Sequence, residues 1–229
     1  MLKNSQMLFF IKTSFLIIFL FCFGVFSQTN DPSDPKNSIK NLTQTHTVVN
    51  TVDLTANSKK ILAIGADSKQ IEYKLTGETV STLKEFGNMG LVITDKSILA
   101  VSVNASEFAR QPFFGDVNIN YTVSNSIIFV STNRKVYIYS VSSSEWKTVD
   151  IAGEYVRTQA AFDRTGTLIT NKRIIAYSDY IKDVRSYPIN NMVPVYSYTV
   201  MDNKIVYDSI QKTIIFRAAA GDFTVNSFN

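Results

Sequence analysis

The sequence predicts an all-β chain in which a four-stranded antiparallel sheet is repeated five times. Three observations carry this. A 38-residue period runs through the chain, each period holds four short β-like runs, and no stretch after residue 45 keeps a 3.6-residue apolar period. With 45% hydrophobic and 12% aromatic residues among 229, there is enough apolar material for a real core.

The period is read from aligned columns. Thr94-Asp95-Lys96, Thr132-Asn133-Arg134 and Thr170-Asn171-Lys172 follow one another at the same offset. So do Gly77, Gly115 and Gly153, each followed by an acid (Glu78, Asp116, Glu154). Ser102, Ser140 and Ser178 form another column, as do Ile98, Val136 and Ile174. Phe108 and Trp146 correspond, with Val184 third, and Leu75, Phe113, Ile151 and Ile189 continue at the same step. The flanking copies slip by one or two residues. Five units result, about 38–75, 76–113, 114–151, 152–189 and 190–229.

Each unit reads as four strands. In the fourth they are Tyr155–Phe162, Thr167–Thr170, Arg173–Ser178 and Asp183–Ile189; in the third, Ile127–Thr132 and Lys135–Ser140 flank the short turn Asn133-Arg134. Asn tolerates positive φ, so Asp95, Asn133 and Asn171 are expected to turn tight hairpins. Four antiparallel strands about every 40 residues is the period of a β-propeller blade, so the expected fold is a five-bladed β-propeller over residues 39–229. A blade alone leaves apolar faces bare, and neighbours on both sides are expected to cover them. Each blade is one continuous segment, so the ring would shut by side-chain packing unless residues 39–48 pair with the last blade.

Trp146, at the start of the last run of its unit, resembles the outer-strand Trp of kelch-type blades. The double glycine of kelch repeats is absent, as are the Gly-His and Trp-Asp pairs of WD-type repeats, so the resemblance is to the architecture and to no family within it. A pair of pleckstrin-type barrels, suggested by Thr167–Tyr177, and a β-sandwich or solenoid remain as alternatives.

Residues 1–27 read as a secretory signal. Lys3 and Lys12 precede the apolar run Phe15–Phe23, and Val25 and Ser27 suit cleavage after Ser27. The run is short for a bilayer span, which takes about 20 residues, so no transmembrane span is expected in the mature chain. Cys22 is read as part of the run; the alternative, a lipid-bearing cysteine, is weakened by Phe19 and Phe21 where such sites carry Leu and a small residue. Residues 28–38, with two prolines, read as a polar leader. The expected destination is secretion, the periplasm or the cell surface.

Composition excludes several functions. Of 23 basic and 19 acidic residues, two basic ones leave with the signal (23 − 2 = 21), so the remainder carries a net +2 and gives no reason to expect nucleic acid. One cysteine and one histidine (Cys22, His46) leave no disulfide framework, zinc site or Cys–His pair. Gly87-Asn-Met-Gly90 lacks the lysine of a phosphate loop, and no Asp run has calcium-loop spacing. No metal or cofactor is implied.

The candidate binding residues are Glu78, Asp116 and Glu154, expected near the mouth of a central channel, with Arg134, Lys172 and Arg173 further out on the same face. A polar ligand is one reading; the other is that Gly-acid is a turn device needed by every unit. Five-bladed propellers include glycoside hydrolases, but their paired carboxylates need unlike surroundings, and repeat-equivalent acids are alike. Tyr121, Tyr155, Tyr180, Tyr187, Tyr196 and Tyr198 are either strand packing or anchors for a partner. The expected function is an exported, non-enzymatic binding or scaffold module for a protein partner. The alternative is a lectin-like or sugar-cleaving propeller; tachylectin-type lectins resemble this chain in blade number.

Overall fold

A computed structural model describes residues 40–43 (by their backbone), 51–65, 68–113, 116–189 and 195–228. The expected signal, the leader, His46 and Gly115 lie outside the described residues. The described chain holds twenty strands and no helix, hence none long and apolar enough to cross a membrane.

After β1 (Lys40–Thr43), the strands fall into five sheets in sequence order. The first contains β2 (Asp53–Ala56), β3 (Lys60–Ile64) and β4 (Gln70–Lys74); the second β5 (Val80–Phe86), β6 (Met89–Thr94), β7 (Ser97–Ser102) and β8 (Ala109–Pro112). The third holds β9 (Asn120–Val123), β10 (Ile127–Ser131), β11 (Lys135–Ser140) and β12 (Trp146–Asp150). The fourth holds β13 (Val156–Phe162), β14 (Thr165–Thr170), β15 (Arg173–Ser178) and β16 (Asp183–Pro188). The fifth holds β17 (Val195–Met201), β18 (Lys204–Ser209), β19 (Lys212–Arg217) and β20 (Asp222–Ser227). Within each sheet these strands run antiparallel in chain order, as expected of propeller blades.

The first unit departs from four continuous strands. In the 38-residue register β5 corresponds to residues 42–48, but residues 40–43 pair with β17, in parallel, from Lys40↔Ser197 to Thr43↔Val200. The first sheet is therefore three-stranded and the fifth gains a strand from the start of the chain. Of the segment 39–48, expected to close the ring if it pairs with the last blade, residues 40–43 make that pairing through β1. The open edge of β2 is met by the second sheet: Glu85 Oε1 accepts the Leu54 N–H at 2.5 Å, and the Thr51 N–H reaches Gly87 O at 2.8 Å.

Four buried clusters fill the four seams between consecutive sheets. Leu54, Ile61, Val92 and Leu99 join the first sheet to the second. Leu91, Ile93, Ile128 and Tyr139 join the second to the third. Phe129, Ile138, Leu168 and Ile175 lie between the third and fourth; Ile169, Ile174, Tyr198 and Phe216 between the fourth and fifth. None of the four combines residues of the first and fifth sheets. Each such side chain removed from water contributes about 1.5–3 kcal/mol, so the seams hold the sheets side by side. At Gly166 the third and fourth sheets approach so closely that a Cβ would lie 2.2 Å from the Phe129 ring.

The middle sheets bury every side chain of β6, β7, β10 and β14, whereas β3 and β18 bury alternate ones. Burial of both faces by neighbours thus holds for the middle sheets and not for the outer two, whose far faces carry polar side chains such as Lys60, Glu72, Lys204 and Thr213 beside half-buried Leu62, Ile64, Val206 and Ile215. A face without an apolar neighbour needs polar groups to stay soluble.

Candidate functional site

The strand order gives the molecule two ends. At the crown, each second strand turns into the third, each first strand begins and each fourth strand leaves; at the base lie the other two turns of each sheet. All six sequence candidates sit at the crown.

Their local structure explains the repeat. The Thr94 hydroxyl donates to Glu78 Oε2 at 2.8 Å and accepts the N–H groups of Lys96 and Ser97. Thr170 repeats this with Glu154 at 2.6 Å and with the N–H groups of Lys172 and Arg173. Each threonine thus holds the hairpin in a side-chain turn, and the acid ties that hairpin to the start of its own unit. Asp116 is one carbon shorter and accepts the Tyr137 hydroxyl instead, at 2.8 Å. Burial first, then that bond, raises the Tyr137 pKa. Gly77 and Gly153, which precede two of the acids, have φ of +65° and +75°, a conformation that favours glycine.

Asp95, Asn133 and Asn171 correct the sequence reading. None has positive φ. Their side-chain oxygens accept the N–H groups of Thr79, Val117 and Tyr155 at 2.8, 3.1 and 3.0 Å, and their own N–H groups return to the carbonyls of the same residues. The column is selected for clasping the first strand to the hairpin, not for left-handed backbone.

The acids are held inside the units. The Glu78 side chain is 5% exposed and ion-paired with Arg110 at 3.4 Å; that of Glu154 is 10% exposed and paired with Arg173 at 3.0 Å. Arg173 also donates to Asp150 O at 2.5 Å. Asp116 and Glu154 bond within their own units, and Glu78 also accepts the Tyr73 hydroxyl of β4 at 3.2 Å; none of the three bonds another, so they are brought to one end without being brought together. Glu78 lines a cleft of about 490 Å³ between the first two sheets, with Leu54, Leu75, Val80 and Leu83. Arg134 and Lys172 are exposed at the hairpin tips.

Of the tyrosines, Tyr198 is buried and shares a hydroxyl contact with Thr158 at 2.8 Å, whereas Tyr121, Tyr155 and Tyr180 are exposed. Tyr180 is engaged at the base. It donates to Asp202 Oδ2 at 2.6 Å beneath the Arg164 guanidinium, 4.1 Å above its ring. Arg164 also pairs with Asp202, so this group clasps the fourth sheet to the fifth. Other bonds across sheets gather at the base: Ser142 to Asp179 at 2.5 Å, Ser178 to Ala218 O at 2.7 Å and Arg185 to Gly221 O at 3.1 Å. Trp146 Nε1 donates to Ala109 O at 2.9 Å and joins the outer strands of the second and third sheets. Ile210 and Phe228, both exposed at the crown, were not among the sequence candidates. The signal for Ile210 was an apolar residue standing where the fourth unit carries Lys172; Phe228 follows the apolar column of Leu75, Phe113, Ile151 and Ile189 one residue late.

Among the described residues no cluster of His, Cys, Asp and Glu could hold a metal ion. The sheets define a β-propeller-like repeat protein. No family model and no curated protein matches the chain. Among solved structures it is similar to the N-terminal domain of Nup159, at 12% identity over 84% of this chain and 62% of that one, with a TM-score of 0.35. It is also similar to HIRA(644-1017), at 8% over 61% and 50% with a TM-score of 0.41, and to Kluyveromyces lactis Hsv2, at 11% over 77% and 60% with a TM-score of 0.38. The chain spans between 50% and 62% of the length of these structures.

Proposed function

We propose that the chain is an exported, non-enzymatic module that binds a protein partner. One observation carries the reading. The repeat's acids, the natural candidates for catalysis, are committed to locking hairpins, while large apolar side chains and cations stand in solvent at the crown. Acid–base work on a sugar needs two carboxylates in unlike settings flanking one bond. Glu78 and Glu154 share the threonine partner, and each is ion-paired by an arginine (Arg110 from a fourth strand, Arg173 from a third), so both carboxylates are already engaged within the chain. Export is supported by the charged, then apolar, then small-residue order of residues 1–27. Purifying the mature protein from its native host should give an N-terminus at Gln28 and a co-purifying protein. Turnover of any hydrolase substrate that disappears on substituting Glu78, Asp116 or Glu154, in variants that still fold, would overturn the non-enzymatic reading.

A further inference from the structure

Among the described residues, eight large apolar side chains stand out in solvent, and they are unevenly placed. The four that are more than half exposed are Val117 at 55%, Tyr155 at 60%, Ile210 at 74% and Phe228 at 57%. All four lie at the crown of three consecutive sheets. Val117 and Tyr155 occupy the same position in successive units, each clasped by the Asn of its hairpin. Ile210 is the tip of the β18–β19 turn, and Phe228 donates its N–H to Gln211 O beside it. Nothing in the locking scheme needs these side chains to be apolar. It uses only the backbone of Val117, Tyr155 and Phe228; the Arg157 guanidinium stands 5.8 Å from the centre of the Tyr155 ring, and Phe228 is exposed one residue past the column in which Phe113, Ile151 and Ile189 are buried.

The same ends carry exposed cations, Arg134 and Lys172, next to Val117 and Tyr155 through the Asn133 and Asn171 clasps. The neighbouring acids are engaged within the chain: Asp116 accepts from Tyr137, Asp150 from the Ala152 N–H, and Glu154 from Thr170 and Arg173. The base differs, since its exposed tyrosine is already held by Asp202 and Arg164.

We propose that the crown of the third, fourth and fifth sheets is a docking surface for an acidic protein segment bearing apolar side chains. This rests on the binding-module reading and names its surface and partner chemistry. Apolar anchors would pack on Tyr155, Val117, Ile210 and Phe228, while carboxylates meet Arg134 and Lys172. Exposed aromatic anchors ringed by complementary charge are the usual composition of protein-binding patches. An anionic membrane is the less suitable occupant, because lipid-surface recognition gathers about four to eight cations. Here Arg173 is paired to Glu154, Lys212 sits over the Tyr187 ring, Arg157 stands 5.8 Å from the Tyr155 ring centre and Lys135 is half-buried, which leaves Arg134 and Lys172 as the exposed cations of these ends.

The test uses the mature protein and short synthetic peptides of three kinds, read by fluorescence anisotropy: acidic with Leu, Phe and Tyr; acidic with Ser; and basic with the same apolar residues. The acidic-apolar set should bind, more weakly as salt rises. Tyr155→Ala, and separately the pair Arg134→Glu and Lys172→Glu, should weaken binding about tenfold, while Tyr180→Ala at the base leaves it unchanged. Circular dichroism confirms that each variant folds. Equal binding of the basic peptides, no binding of any set, or a loss equally large in Tyr180→Ala would overturn the proposal. So would crown-dependent binding to phosphatidylcholine–phosphatidylserine vesicles in place of peptides, or crown-dependent self-association. A native partner whose capture ignores the crown variants would overturn this surface and leave the binding-module reading standing.

Discussion

The β10 and β14 strands of the middle sheets and the β3 and β18 strands of the outer sheets belong to copies of one repeating module, β3 as a third strand and the others as second strands, yet they meet different surroundings. Every side chain of β10 and β14 is buried. In β3 and β18 the buried positions alternate with partly or fully exposed ones, as in a sheet with one dry face. The number of neighbours decides which pattern a unit needs. A middle unit must supply apolar residues to both faces, and an outer unit to one. That accounts for the weaker repeat signal at the two ends of the array, where polar residues occupy columns that are apolar in the middle.

The largest effects should come from the seam between the third and fourth sheets. Phe129→Ala removes a fully buried ring and should cost about 4 kcal/mol. Gly166→Ala places a methyl against that ring and should cost about 2 kcal/mol. The two are coupled, because without the ring the methyl has room, so the double variant should be more stable than the sum of the single losses allows. Urea unfolding of the four proteins measures this. Strict additivity would mean that the close approach at Gly166 is not a constraint. On the outer face of the fifth sheet, half-buried Ile215 offers the contrast, and Ile215→Ala should cost about 1 kcal/mol.

Hydrogen exchange sharpens the comparison without changing the sequence. Amides of β10 and β14 should exchange only with global unfolding, while those of β3 and β19 should open earlier in sub-global steps. Each outer sheet packs one face on a neighbour, so opening it breaks one apolar seam. Uniform protection across all five sheets would refute the distinction, and with it the reading of the outer faces as solvent-facing caps.

Much of this was legible in the sequence, for physical reasons that differ by residue. The fully buried strands of the middle sheets announce themselves because an apolar run such as Ile127–Val130 or Gly90–Ile93 has no other comfortable home. The threonine and acid columns were equally visible, but their meaning was not. Composition alone does not say whether Glu78 faces a ligand or the Thr94 hydroxyl 16 residues away. The Asn column was misread because Asn serves two purposes, left-handed backbone and side-chain capping, and only coordinates tell them apart. The transfer of residues 40–43 to the fifth sheet was left open because β-strand partners across such sequence distance leave no local mark. Ile210 resembles noise because a single apolar residue in a turn carries no pattern until its exposure is known, and Phe228 reads as one more member of the apolar column of Phe113, Ile151 and Ile189, whose burial it does not share.

Alkaline pH should probe the seams through their tyrosines. Burial pushes the Tyr177 hydroxyl up to about 12, and it raises Tyr137 and Tyr207 as well. A raised value means that the folded state favours the neutral phenol. The stabilisation is fully present below the unfolded value near 10 and is lost as pH rises through the folded value. For Tyr177 this amounts to about 2–3 kcal/mol across that window. Tyrosinate absorbance should therefore appear in two stages, exposed rings first and the buried rings together with loss of the far-ultraviolet β signal. One smooth titration with the fold intact would show that the seams admit water.

The base clasp between the fourth and fifth sheets should give the smallest change. The Arg164 hydrogen bond holds Asp202 below the usual carboxylate range, with the Tyr180 hydroxyl helping. A depressed value contributes stability above the unfolded value near 4 and loses it as pH falls through the folded one. Exposed ion pairs are weak, because water screens them and two long side chains must be held still. Arg164→Ala should therefore lower Tm only slightly at neutral pH, and the difference from wild type should vanish in acid as Asp202 protonates. A large loss, undiminished at low pH, would mean that packing of the guanidinium on Tyr180, and not the charge pair, is what joins the fifth sheet to its neighbour.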